Sequence, residues 1–333
     1  MKQYFTIKGI EHELGSEVYN SQRVGKRFVT KDNPEEKVEH FIRDVLGKET
    51  IYRFKEDDNL VQICGEVGKR LLEKNHVDPR EIDMVICTSV VPEYYMPVVA
   101  IMLHNELGLR SDVKVVMDIN VNCVGMLTAL YNINAIMSID EEVNNILILD
   151  IMTLAHYSPI EDIVGAVSFS DAAVALLVSR RDHIEEGLYF QAFQDSSQVD
   201  YLKGPGIGTY QFFNSKIHEN FRVKLNTMLD CKMEEVVDFT KKFFERHNED
   251  LKAYKHCCFS QYVRANINMM RDGLGLSDEN IPYIGREMGY TGPSSPMLAL
   301  NKRIKEGKVQ SGDKIFFWTN ATGLQHVLMT AVY

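Results

Sequence analysis

The sequence predicts an α/β protein of two structurally similar halves, and three observations carry that expectation. The chain has 333 residues, more than one hydrophobic core usually organises. Short β-rich runs alternate with amphipathic segments at helical spacing along its whole length, the pattern of a mostly parallel sheet covered by helices. The order of elements also recurs at an offset of about 170 positions, longer than any solenoid repeat, which fits an internal duplication.

The N-terminal MKQYFTIKGIEHELG alternates apolar and polar residues like a first strand. Residues 58–74 carry apolar side chains at helical spacing, with Asp58 as the expected N-cap. MVICTSV then reads as a strand buried on both faces, because it lacks polar alternation. A helix is expected over 96–107, ending at Gly108, followed by a second buried strand, VKVVMDIN, at 113–120 and a helix over 123–138. NNILILDIMT and AVSFSDAAVALLVS give two further strands. The second half repeats the order with the helix MEEVVDFTKKFFERH, the strand HCCFSQ, the helix YVRANINMMRDGL and then IPYIGREMG. The Gly-Pro-Ser turn opening a helix in YTGPSSPMLALNKRIKEG and the strands KIFFWTN and GLQHVLMTAVY close the chain. The halves are expected to divide at 1–180 and 181–333, and the Gly-rich LKGPGIGTYQFF within 181–220 reads as a surface excursion over a pocket.

Lys and Arg total 37 against 47 Asp and Glu, a net charge of −10, the wrong sign for a nucleic-acid partner. Neither a secretion signal nor a run of the roughly 20 apolar residues that a membrane helix needs is visible, so a soluble, cytoplasmic protein is expected. The six cysteines form no CxxC pair, and neither a metal site nor a disulfide framework follows from their spacing. One of them stands out. Cys123, in VVMDINVNCVG, sits where a strand turns into a helix, and the free N–H groups and dipole of a helix N-terminus favour thiolate over thiol.

The segments TSVVPEYYMPVVAIMLHNELGL (88–109), DINVNCVGMLTAL (118–130), SFSDAAVALLV, GYTGPSSPMLAL and EGKVQSGDKIFFWTNATG, in this order and spacing, resemble the beta-ketoacyl-ACP synthase III family of condensing enzymes. The resemblance runs nearly end to end and implies a thiolase-like fold in five α-β-α-β-α layers and a homodimer, with a heterodimer with a paralogue as the alternative. It also implies that Cys123 accepts an acyl group from an acyl-CoA or acyl-carrier-protein thioester and needs no further cofactor.

The chain departs from the family where a histidine and an asparagine usually assist the cysteine. Counted without gaps from GYTGPSSPMLAL, those positions hold Ser260 and Tyr290. Each donates one hydrogen bond but neither is a good base near neutral pH, and losing one oxyanion donor typically costs about 10²–10³ in rate. The TNATG loop, with Thr322 and Gly323, is expected to border the pocket and supply an oxyanion N–H, with His326 just beyond it. His156 is a second candidate for the pocket, His256 is expected to lie too far away, and Asp171 to be structural. Where family members clamp a coenzyme A adenine, VEHFIRDVLG offers Phe41 and Val45, a weakened clamp that favours a carrier-protein donor. An acidic carrier needs a basic dock, for which Arg264, Arg271, Arg303 and Lys305 are candidates. The resulting expectation is an acyltransferase of specialised metabolite or fatty-acid-related biosynthesis. The alternatives are a non-catalytic or half-catalytic partner of an active ketosynthase, and decarboxylative malonyl condensation with Ser260 and Tyr290 as substitute donors.

Overall fold

The computed structural model describes residues 1–158, 161–214, 224–225 and 230–333. The first half is built on five strands, β1 (Lys2–Leu14), β2 (Ile82–Ser89), β3 (Val115–Ile119), β4 (Asn145–Met152) and β5 (Ala172–Glu186), in the order β1-β5-β4-β2-β3. β2 runs parallel to β3 and β4, whereas β5 is antiparallel to β4 and to β1. The second half has β6 (Tyr189–Gln194), β7 (His256–Phe259), β8 (Lys314–Ala321) and β9 (Gln325–Val332), in the order β6-β9-β8-β7, with only β7 and β8 parallel. The two orders match strand for strand. In the second sheet the place of β3 is held by the chain at Asn280, whose carbonyl accepts from the Cys257 N–H at 2.8 Å.

Six helices complete five layers: α1 (Leu60–Lys74), α2 (Val99–Glu106), α3 (Gly125–Ile139), α4 (Met233–Arg246), α5 (Arg264–Leu274) and α6 (Ser295–Lys305). α1 and α2 cover the outer face of the first sheet, where Val67, Leu71 and Leu103 share a core with Val85 and Leu147. α3 and α6 lie between the sheets, with Leu127, Leu130 and Met297 packed among Ile86 and Ile148 on one side and Phe317 and Met329 on the other. α4 and α5 cover the second sheet, where Phe243 and Ile267 meet Phe259 and Trp318. Alternation along β8 produces this division, because side chains two apart share a face: Ile315 and Phe317 point to the central layer, Phe316 and Trp318 to the outer one.

Several expected boundaries move for local reasons. The division at 180/181 falls inside β5, which continues to Glu186 because Lys2 of β1 pairs with that residue. The cap of α1 is Asn59, which accepts from the Gln62 N–H, while Asp58 turns back to the Lys55 N–H. α2 starts at Val99 rather than residue 96, where the Asp118 carboxylate accepts from the N–H groups of Val99 and Ala100 at 2.8 and 2.7 Å. β3 is a half-buried edge strand, not one covered on both faces. AVSF, expected as strand, ends a short helix over Ile163–Ser168. The part of the expected excursion at 215–220 lies outside the described residues; its Gly204–Gly208 portion borders a cleft. Among the described residues no helix is long and apolar enough to cross a membrane.

Candidate active site

Cys123 belongs to a 3₁₀ turn, Asn122–Val124, that leads from β3 into α3. Asn122 holds φ = 53°, a left-handed conformation that asparagine adopts at less cost than most residues. Behind the turn, the Thr319 hydroxyl of β8 donates to the Cys123 carbonyl at 3.0 Å, so the cysteine is fixed from the second half of the chain. The equivalent turn of that half, Gly292–Ser294, packs against it: a Cβ on Gly125 would stand 3.3 Å from Thr88 Cβ and 3.6 Å from Pro293 Cβ.

Tyr290 reaches Cys123 from just before that second turn. Gly289 has φ = 67°, and a Cβ there would lie 2.1 Å from the Ser170 hydroxyl. This tight passage lets the Tyr290 N–H donate to the Ser168 carbonyl (2.8 Å) and the Tyr290 carbonyl accept from the Ser170 N–H (3.0 Å). The Tyr290 side chain is buried and lines the same cavity as Cys123, close enough for its hydroxyl and the sulfur to shift each other's pKa. Ser260 follows β7, its N–H donating to the Trp318 carbonyl at 2.7 Å, and its hydroxyl lies beside that of Tyr290 without a full hydrogen bond. The fold thus brings together Cys123, Ser260 and Tyr290.

Cys123 and Tyr290 line a cavity of about 40 Å³ together with Leu154, Phe169, Tyr262 and the Asn320–Thr322 segment, whereas Ser260 is buried and not part of that lining. Phe169, Tyr262 and Tyr290 form an aromatic wall, with ring centroids 5.2 to 6.1 Å apart. Leu154, Leu202 and Thr322 also line an outer cleft of about 690 Å³ that includes Val90, Val91, Asn122 and the Lys203–Gly208 loop. The neck at these three residues leads from the cleft to the sulfur. Sequence reasoning missed Tyr262, although it stands two positions beyond Ser260.

Four expectations need correction. Burial pushes the Cys123 thiol up to about 11, outweighing the opposite pull of the nearby Tyr290 hydroxyl. With only 5% of its surface exposed, dehydration of a thiolate outweighs the short 3₁₀ entry to the helix, and Cys123 is a thiol at neutral pH. His326 does not reach the pocket, because it shares a strand face with Leu328 and turns into the outer core. There it accepts from the Trp318 indole N–H at 3.2 Å, and burial lowers its pKa to about 4. Gly323 is outside the cavity lining, which ends at Thr322. Phe41 lies in the chain between Glu35 and Leu46, packed on a separate cluster with Val38, Ile42 and Val167, and lines neither the cavity nor the cleft.

His156 is bound at 2.7 Å to the buried Asp171, whose carboxylate also accepts from the Phe54 N–H; His156 is absent from the cavity lining. His256 faces Asp313 at 3.3 Å. Of the four docking candidates, Arg264 and Arg271 are tied to Asp278, Arg303 is buried against the Glu279 carbonyl, and Lys305 alone is exposed. Among the described residues no cluster of three or more His, Cys, Asp or Glu is arranged to hold a metal.

Two family models match the chain, one for 3-oxoacyl-[acyl-carrier-protein (ACP)] synthase III over residues 117–196 and one for the C-terminal region of that enzyme over 244–331. The chain belongs to the beta-ketoacyl-ACP synthase III family. By kind it is therefore an acyltransferase. A beta-ketoacyl-[acyl-carrier-protein] synthase III of Aliarcobacter butzleri is 27% identical over 263 residues, 77% of this chain and 78% of that protein. One of Coxiella burnetii (strain RSA 331) is 23% identical over 321 residues, 96% of this chain and 97% of that one. The fold is that of the crystallised 3-oxoacyl-[acyl-carrier-protein] synthase III of Aquifex aeolicus, with a TM-score of 0.83 at 20% identity over 99% of this chain and 100% of that chain. It is also that of cerulenin-bound OleA from Xanthomonas campestris, with a TM-score of 0.82 at 16% identity over 99% of this chain and 97% of that one.

Proposed function

We propose that Cys123 takes an acyl group from a pantetheine thioester and passes it to a second substrate, in a pathway of specialised metabolite or fatty-acid-related biosynthesis. The observation that carries this reading is the meeting of Cys123 and Tyr290 in the lining of one cavity, which shares Leu154, Leu202 and Thr322 with an outer cleft. In the first step the Cys123 sulfur bonds to the thioester carbonyl carbon, the carbon–sulfur bond of the donor breaks, and the thiol proton ends on the departing pantetheine sulfur. Tyr290, a phenol that burial keeps protonated, acts in this reading as a hydrogen-bond donor beside the sulfur and the developing charge and not as a base. In the second step the acyl group leaves for the acceptor and Cys123 regains its proton.

The donor in this reading is a thioester of coenzyme A or of a carrier protein, which share the pantetheine arm. No cofactor beyond that thioester is needed. A homodimer fits the open edge of β3 together with the exposed Tyr94, Tyr95 and Met96 on the connection before α2, Met96 being 87% exposed. The test is a thiol-release assay with acyl-CoA and acyl-carrier-protein donors and no acceptor. One free thiol per chain should appear as a burst, and its absence with every donor would overturn the reading.

A further inference from the structure

Asp150 lies near the C-terminal end of β4, beside the Thr88 on which the start of α3 rests, and is fully buried. Its Oδ1 accepts from the Thr88 hydroxyl of β2 at 2.9 Å, while Ser294, from the turn of the second half, lies beside it with its backbone N–H, its own hydroxyl donating to the Thr291 carbonyl at 2.8 Å. Thr88 and the Gly292–Ser294 turn are also the surfaces on which the start of α3 rests, so one carboxyl joins both supports of Cys123. Its Oδ2 has no full partner. Among the described residues the titratable group on its own face of the sheet is the Cys123 thiol; Cys64 of α1, whose sulfur donates to the Asp150 backbone carbonyl at 3.8 Å, and Cys87 of β2 lie in the outer core on the other face. Among the described residues no Lys, Arg or His pairs with it. A carboxylate left alone in such a place is costly, and burial raises its pKa to about 7.

We propose that Asp150 is a positioning residue that joins the two halves at the start of α3 and whose negative charge, when present, restrains the nucleophile. The inference rests on the reading of Cys123 as the nucleophile, and like charges enclosed in one dry seam oppose each other's formation. Ionisation of Asp150 then disfavours the Cys123 thiolate, and the neutral acid releases it. Asp150→Asn keeps the shape and the acceptor for Thr88 but removes the charge.

The test is the pH profile of iodoacetamide alkylation at Cys123, resolved by peptide mass spectrometry on the full chain. At pH 8.5 Asp150→Asn should be alkylated roughly fivefold to tenfold faster than the parent, with the difference closing below pH 6, where the parent's Asp150 is neutral too. An unchanged profile, or a uniform slowing at every pH, would overturn the proposal. If Asp150→Asn does not fold, Thr88→Val removes the hydrogen bond that favours the carboxylate and should raise the rate in the same sense; an unchanged rate there overturns it equally. Alkylation needs no acyl donor, so failure of Cys123 to take an acyl group and failure of Asp150 to control it give different results.

Discussion

In the proposed function Tyr290 carries the chemistry beside the cysteine, a phenol standing where the sequence resemblance leads one to expect an asparagine. Removing the hydroxyl alone, in Tyr290→Phe, should slow acylation of Cys123 by about 10² while leaving the fold intact, as loss of an oxyanion donor does; a rate within twofold of the parent would dismiss the role. The buried thiol makes a second prediction. Since burial holds Cys123 up to about 11, its alkylation rate should climb about tenfold per pH unit between pH 8 and 9, above the titration of Asp150, and a plateau near pH 7 would show a thiolate that the surroundings favour. That Cys123 and Tyr290 meet was legible, because a strand-to-helix junction and a gap-free motif fix their positions; that Ser260 stays out of the cavity lining was not. The protonation state was not, since burial is a property of packing. His326 was misplaced for a reason that strand alternation could have supplied: it lies two residues from Leu328 and so faces the outer core with it.

The elements were recovered where patterning is strong, as in α1 and β2, and lost where one tertiary contact overrides it. AVSF has strand composition yet ends a short helix, and only Phe169 beyond it makes a single bridge to Tyr290. That bridge depends on the backbone at Gly289, where a side chain would meet both a left-handed φ and the Ser170 hydroxyl. Gly289→Ala should therefore cost ~2 kcal/mol, lower Tm by a few degrees and slow acylation by shifting Tyr290. Unchanged melting and unchanged acylation would show that the passage is not tight. Tyr262 escaped notice because nothing in the sequence shows the chain after β7 folding back over the cysteine, where its ring closes the wall with Phe169.

For the whole molecule, the repeated strand order and the recurring motifs foretold two sheets and a shared helix layer, and the site lies where the turns before α3 and α6 meet. A net charge of −10 set the requirement for a basic dock, but the arginines chosen for it serve ion pairs and the core instead. Charge patterning in a sequence does not reveal which cations the fold has already used. The homodimer proposed on the β3 edge predicts twice the chain mass in light scattering, and a monomer after Met117→Pro in that strand; a monomeric parent would contradict it. The central claim, that Cys123 is the acyl acceptor, is tested most directly by peptide mass spectrometry after incubation with acyl-carrier-protein and acyl-CoA donors. The account predicts one acyl mass on the peptide holding Cys123, absent in Cys123→Ser; an adduct elsewhere, or none while that thiol still alkylates, would contradict it.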